Sequence, residues 1–177
     1  MENIISKYIL DDAVVVTAAD TTQIAEYART LHNTLPTCTA ALGRTLTAAA
    51  MMASGLKGPE DKLTININGG GPAGTIIATA NSSGEVKGCI GNPHVDLPAK
   101  PSGKLDVSGA VGNHGFVTVV KDIGLKEPYI GKTPIQTGEI AEDIAYYCLM
   151  SEQQPSIVYL SVWVDIDATV IVAGGLI

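Results

Sequence analysis

The amino-acid sequence predicts an α+β fold: mainly antiparallel β-sheets packed with a few helices. Three observations carry that prediction. Short runs of β-branched residues recur along the chain, turns built of Gly, Asn, Asp and Pro separate them, and the helical patterns are too few to cross over between parallel strands. A chain of 177 residues fits one domain and buries roughly two-thirds of its unfolded surface, so residues 1–177 are read as one core domain.

Residues 4–10 and 13–18, separated by Asp11-Asp12, read as two strands of an antiparallel hairpin. Asp20 or Thr21 then caps a helix whose Ile24, Tyr27, Ala28 and Leu31 fall on one apolar face, ending near Asn33. Pro36 suits the first turn of a second helix, running to about Gly55 and nearly uncharged apart from Arg44. Such a helix is buried on most sides, and its alanines allow residues 37–54 to pack closely against a sheet. Residues 57–62 make a polar turn, and residues 63–90 form a β-meander with a glycine corner at Gly69–Gly74. The Pro/Gly/Lys-rich residues 91–115 are read as a long excursion with at most short strands. Residues 116–121 are a strand, and Pro128, Gly131 and Pro134 are read as turns between short extended pieces. A late helix places Ile140, Ile144, Tyr147, Cys148 and Ser151 on one face and stops at Pro155. Two β-rich segments, 157–164 and 168–173, close the chain around an Asp165-Ile166-Asp167 turn. The last residues, VIVAGGLI, are wholly apolar where termini are normally solvated, which predicts either a shortened chain or packing of Leu176 and Ile177 against a missing surface.

Composition excludes several function classes. Hydrophobic content of 46% with only 16% charged residues describes a packed protein whose surface is partly apolar. A formal charge of −7 argues against nucleic acid, since phosphate-backbone affinity rests on Lys and Arg displacing counterions. No apolar run approaches the ~18 residues of a membrane span, and Met1-Glu2-Asn3 lacks the basic start of a signal peptide, so no membrane partner is expected and a cytoplasmic location is. Cys38, Cys89 and Cys148 are odd in number and widely spaced without C-x-x-C, giving neither a zinc cluster nor a disulfide framework.

Each apparent catalytic motif meets an objection. Gly69, Gly71 and Gly74 have G-x-G-x-x-G spacing after a strand, the pattern of a nucleotide-binding enzyme, but the β-branched residues 75–80 follow where a phosphate-holding helix must start. A Walker loop fails because Thr75 stands in the place of its lysine. His94, Asp96 and His114 supply the residue types of a facial metal triad, on an excursion without strands to preorganise them. His32 suits a helix end. Cys38, in the first turn of the second helix, is the best nucleophile candidate because free amides there lower a thiol pKa, yet no base partner is identifiable. Glu139, Glu142 and Asp143 are read as a solvated helix N-terminus instead of acid/base carboxylates. No catalytic, cofactor-binding or metal residue is assigned, and no enzyme is predicted.

The string itself carries more. Gly84-Glu85-Val86-Lys87-Gly88, Gly103-Lys104-Leu105-Asp106-Val107, Ala110-Val111-Gly112, Thr118-Val119-Val120-Lys121-Asp122, Glu127-Pro128-Tyr129, Gly138-Glu139-Ile140-Ala141-Glu142-Asp143, Ser151-Glu152-Gln153 and Ala173-Gly174-Gly175 stand in one order. Together they resemble the core domain of the redox-regulated heat-shock holdase family, the 33 kDa chaperonins. Lys87 and Cys89 depart from it, standing where arginine and an aromatic are common in that family. The resemblance implies an ATP-independent chaperone that binds unfolding proteins under oxidative and heat stress and needs no catalytic residue. It implies a helical linker and a four-cysteine zinc switch in the full-length protein, whose C-x-C and C-x-x-C motifs this sequence lacks. Cys38, Cys89 and Cys148 match no switch position, so zinc, disulfide formation and redox regulation are expected only there. Expected partners are unfolded or oxidatively damaged clients and a second copy of the chain, as a homodimer or other self-association through edge strands.

Overall fold

The computed structural model describes residues 3–11 and 13–177. Met1, Glu2 and Asp12 lie outside them, and with them part of the N-terminal reading and half of the Asp11-Asp12 turn. Thirteen elements run in the order β1 (Ile4–Leu10), β2 (Val14–Asp20), α1 (Thr22–His32), α2 (Pro36–Ala53), β3 (Lys62–Asn68), β4 (Ile76–Asn81), β5 (Val86–Ile90), α3 (Val107–Val111), β6 (Phe116–Asp122), β7 (Tyr129–Pro134), α4 (Ala141–Met150), β8 (Tyr159–Val164) and β9 (Val170–Leu176). They form two antiparallel sheets, a four-stranded one ordered β1-β2-β9-β8 and a five-stranded one ordered β5-β4-β3-β6-β7. The α+β expectation is met.

Helix α2 sits between the sheets, touching β2, β8 and β9 of one and β3, β4 and β5 of the other. Its composition explains the position. Almost every residue from Thr37 to Ala53 is buried, and its alanines let both sheets come close without leaving voids. Its buried threonines are satisfied by local bonds: Thr45 donates to the Ala41 carbonyl at 2.8 Å, and Thr47 donates to Gly43 at 2.9 Å and meets Thr21 at 2.6 Å. The helix therefore carries polar groups into the core at little cost.

Several expectations need correcting. The excursion 91–115 holds a short helix, α3, in place of short strands; Asp106 caps it by accepting from the Gly109 amide at 3.0 Å. Gly131 is not a turn. It lies mid-strand in β7 opposite Val119, and a Cβ there would meet the Tyr147 ring at 2.7 Å, so the missing side chain lets buried Tyr147 of α4 lie on the sheet. Helix α4 stops at Met150, short of Pro155, and β9 runs on to Leu176.

Helix α1 turns a different face inward from the one its pattern suggests. Ala25 and Ala28 are buried while Tyr27 and Leu31 are 71% and 63% exposed. The small side chains allow α1 to close on α2 and β9, and that approach decides the orientation ahead of hydrophobicity. Asp20 rather than Thr21 supplies the cap, accepting from the Thr22 amide at 3.0 Å, and Asn33 ends the helix in the left-handed region at φ 50°.

Of the three carboxylates read as a solvated face at the start of α4, Glu142 is exposed as expected, but Glu139 and Asp143 are not. Asp143 is completely buried and accepts from the amides of Gln136 at 2.7 Å, Thr137 at 2.9 Å and Ile140 at 3.0 Å. Glu139 binds Arg44 at 2.8 Å and also Lys100. Asp143 thus closes the loop that leads into α4, and Glu139 is held by tertiary partners, neither of which a helix-dipole argument sees.

Candidate functional site

The sequence-derived catalytic candidates do not assemble. In the glycine corner, Gly71 and Ala73 donate their amides to the carbonyls of Val111 and Ala110, each at 2.9 Å, and β4 follows at Ile76. The N–H groups a phosphate needs are already used, and Gly69 and Gly71 are glycines because a Cβ would lie within 2.6 Å of the 110–112 backbone. His94, Asp96 and His114 are not brought together: among the described residues no group of three or more His, Cys, Asp or Glu is placed to hold a metal. His32 uses Nε2 on the Gly88 carbonyl at 2.9 Å.

The cysteines fit neither a nucleophile nor a zinc switch. Burial pushes the Cys38 thiol up, and its Sγ donates to the Asn92 carbonyl at 3.3 Å, so the N-terminal amides of α2 do not activate it. Cys148 is buried on α4 and its thiol is likewise pushed up by burial, whereas Cys89 is exposed on β5. Cys38, Cys89 and Cys148 are free thiols on three separate elements.

What stands out physically is the water-facing side of the four-stranded sheet. Alternation along each strand sends Thr17, Leu160, Val162 and Ala173 inward, where all are buried. Their neighbours point outward: Ile4, Ser6, Tyr8 and Leu10 from β1; Val14, Val16, Ala18 and Asp20 from β2; Val172, Gly174 and Leu176 from β9; Tyr159, Ser161 and Trp163 from β8. The register aligns them across the sheet, Leu10 with Val14, Tyr8 with Val16, Ala18 with Leu176, Leu176 with Tyr159, and Val172 with Trp163. An antiparallel sheet with one solvated face normally alternates apolar-in and polar-out. Here Trp163 is 67% exposed, Tyr8 56% and Leu10 54%, and among the described residues of these strands Asp20 is the one charged side chain in the face.

Even that charge is committed to the fold, because the Thr22 amide and hydroxyl bonds hold the Asp20 carboxyl below its ordinary range. Charge gathers instead at the β8 margin. A cavity of about 350 Å³ beside Tyr159 and Leu160 is lined by Arg44, Lys100, Lys104 and Glu139. The outer face is apolar across the interior strands and aromatic at both edges, with Tyr8 on β1 and Tyr159 and Trp163 on β8, a contiguous exposed apolar patch of the kind that marks a protein-binding surface. Sequence reading placed the strands but missed the face, whose signal is the predominance of apolar residues at alternate positions of β1, β2, β8 and β9, interrupted only by Ser6, Asp20 and Ser161.

The C-terminal strand offers no free edge for self-association. β9 is interior, paired with β2 and β8, and the ladder continues through Thr17 and Ile177, whose amides and carbonyls exchange bonds of 2.8 and 3.0 Å. Among the described residues no helix is long and apolar enough to cross a membrane.

Comparison with known proteins agrees with this architecture. A 33 kDa chaperonin of Thermoanaerobacter sp. (strain X514) is 53% identical over 167 residues, covering 94% of this chain and 57% of the relative. One of Clostridium botulinum (strain Langeland) is 51% identical over 94% of this chain and 56% of its own length. The chain thus spans a little over half the length of the curated relatives it matches. The crystal structure of the 33 kDa chaperonin from Thermotoga maritima superposes with a TM-score of 0.89 at 38% identity, over 97% of this chain and 59% of that one. The family model described as Hsp33 protein matches residues 3–177, both sheets and the helix between them included, and the chain belongs to that family.

Proposed function

We propose that this chain is the client-binding core of an ATP-independent holdase, which captures unfolding proteins under heat or oxidative stress and keeps them from aggregating. The observation that carries the reading is the apolar outer face of the four-stranded sheet, with Tyr8, Tyr159 and Trp163 open to solvent. A holdase needs exposed apolar area and no reacting group, and aromatic side chains cover large areas of a partner at a small entropic cost. Family membership supports the same reading. Clients are unfolded or oxidatively damaged polypeptides in the cytoplasm, and the protein works as a self-associating chain without nucleic acid, membrane or enzymatic turnover.

Redox control belongs to the longer family members, whose four-cysteine zinc switch has no counterpart in Cys38, Cys89 and Cys148. Capture by these 177 residues on their own is therefore expected not to depend on redox state. The test is light scattering from a thermally unfolding client mixed with this polypeptide, without nucleotide, in reductant and in peroxide. Equal suppression under both conditions, with no stoichiometric zinc in the sample, is expected. Absence of suppression in both would overturn the proposal, and strong activation by peroxide would assign a switch to one of the three cysteines.

A further inference from the structure

A second surface, on the opposite sheet, has the form of a strand-binding slot. Strand β5 is an edge of the five-stranded sheet, and α1 runs beside that edge. Between them lies a groove of about 740 Å³ with Leu46 and Ala28 in its lining, Tyr27 and Leu31 on the helix side, and Val86 and Lys87 on the strand side. The ladder to β4 fixes which backbone groups face it. Glu85 accepts from Asn81 and Gly91 donates to Thr75, so odd-numbered residues of this strand bond β4 and even-numbered ones turn toward α1. His32 Nε2 takes the Gly88 carbonyl at 2.9 Å. The amide and carbonyl of Val86 and the amide of Gly88 have no protein partner on that side among the described residues.

We propose that this groove takes one extended polypeptide segment by edge addition to β5. An open strand edge selects an extended backbone over a helix or a small molecule, because only that backbone returns donors and acceptors at the ladder spacing. The walls add a side-chain rule. Residues pointing inward meet Leu46 and Tyr27 and must be apolar. Those pointing outward pass Lys87, which forms no ion pair among the described residues, while the groove's carboxylate, Glu26, is bound by Arg29. Charge complementarity therefore favours a segment alternating apolar and polar residues with a carboxylate opposite Lys87. His32, holding the Gly88 carbonyl, closes one end and limits the ladder to the Val86 region. The inference rests on reading the chain as a protein-binding core, but not on the outer face of the other sheet.

The probe is a short fluorescein-labelled peptide of alternating valine and threonine with one central aspartate, followed by fluorescence anisotropy. Saturable binding is expected, weakened about tenfold when alternate backbone amides of one parity are N-methylated and unchanged for the other parity. Val86→Pro removes an outward amide without touching the β4 ladder and should weaken binding about fivefold. Lys87→Glu should reverse the preference between the aspartate peptide and its lysine counterpart. Trp163→Asp should leave peptide binding unchanged while lowering client suppression, which separates failure of this site from failure of the sheet-face reading. Binding indifferent to N-methylation of either parity, loss of binding in Trp163→Asp, or no saturable binding would overturn the proposal. So would a dimer that Val86→Pro abolishes and the peptide does not displace, since the occupant would then be a second copy's strand.

Discussion

Replacing Trp163 by alanine should weaken client capture far more than it weakens the fold. The indole is 67% exposed, so of the roughly 200 Å² that such a side chain can bury, about 130 Å² is open to a client. At about 25 cal/mol per Å², complete cover is worth at most about 3 kcal/mol, and cover of half the area corresponds to about tenfold in affinity. Inside the protein the loss is smaller. Trp163 faces Val172 across the strands, a pair worth about 0.5 kcal/mol, which lowers Tm by about 2 °C in a chain of this size. Two assays separate the effects. Thermal unfolding measures the fold, and light scattering against the ratio of chain to client measures capture. Trp163 is also the single tryptophan, so its emission reports directly on the face: titration with a tryptophan-free client should shift it to the blue. Undiminished suppression by Trp163→Ala with a native Tm, or emission unmoved at saturating client, would refute the placement of clients on this sheet.

Two further predictions concern the carboxylates around the start of α4. Asp143→Ala strands three amides that the carboxylate now satisfies, one of them fully buried, and should cost about 3 kcal/mol in urea unfolding, with Asp143→Asn losing about half as much. Burial raises the Glu139 carboxyl, but the Lys100 and Arg44 contacts outweigh it and hold the folded-state value below the ordinary 4.5. A depressed carboxylate stabilises the fold fully above that value, and its contribution is lost as pH falls through the lower folded-state value, so Glu139→Gln should reduce stability at neutral pH and flatten the acid limb of a plot of urea midpoint against pH. An acid limb identical to that of the unsubstituted chain would refute the Glu139 assignment.

The distribution of what was legible in the sequence follows from the range of the forces involved. Strands and helices obey local periodicity, so the β1–β2 hairpin, α2 and the apolar face of α4 could be read directly, and the glycine corner could be rejected as a nucleotide site because no helix follows it. Features set by tertiary approach could not. Whether α1 buries Tyr27 or Ala28 depends on how closely α2 and β9 come, and whether Gly131 is a turn or a strand depends on Tyr147 arriving from another element. Ile140 shows the same limit: it adopts φ 73°, a conformation its β-branched side chain disfavours, where Asp143 accepts its amide and its side chain is fully buried. The client face lay between these cases. Each outward residue of β1, β2, β8 and β9 was visible in its own strand, but strand order alone joins them, because β9 inserts between a hairpin from the start of the chain and β8 from near its end. Four segments with apolar residues on both sides look, one by one, like ordinary buried strands. Their sum becomes a binding surface only because α2 covers one side of the sheet and no element of the described chain packs over the other.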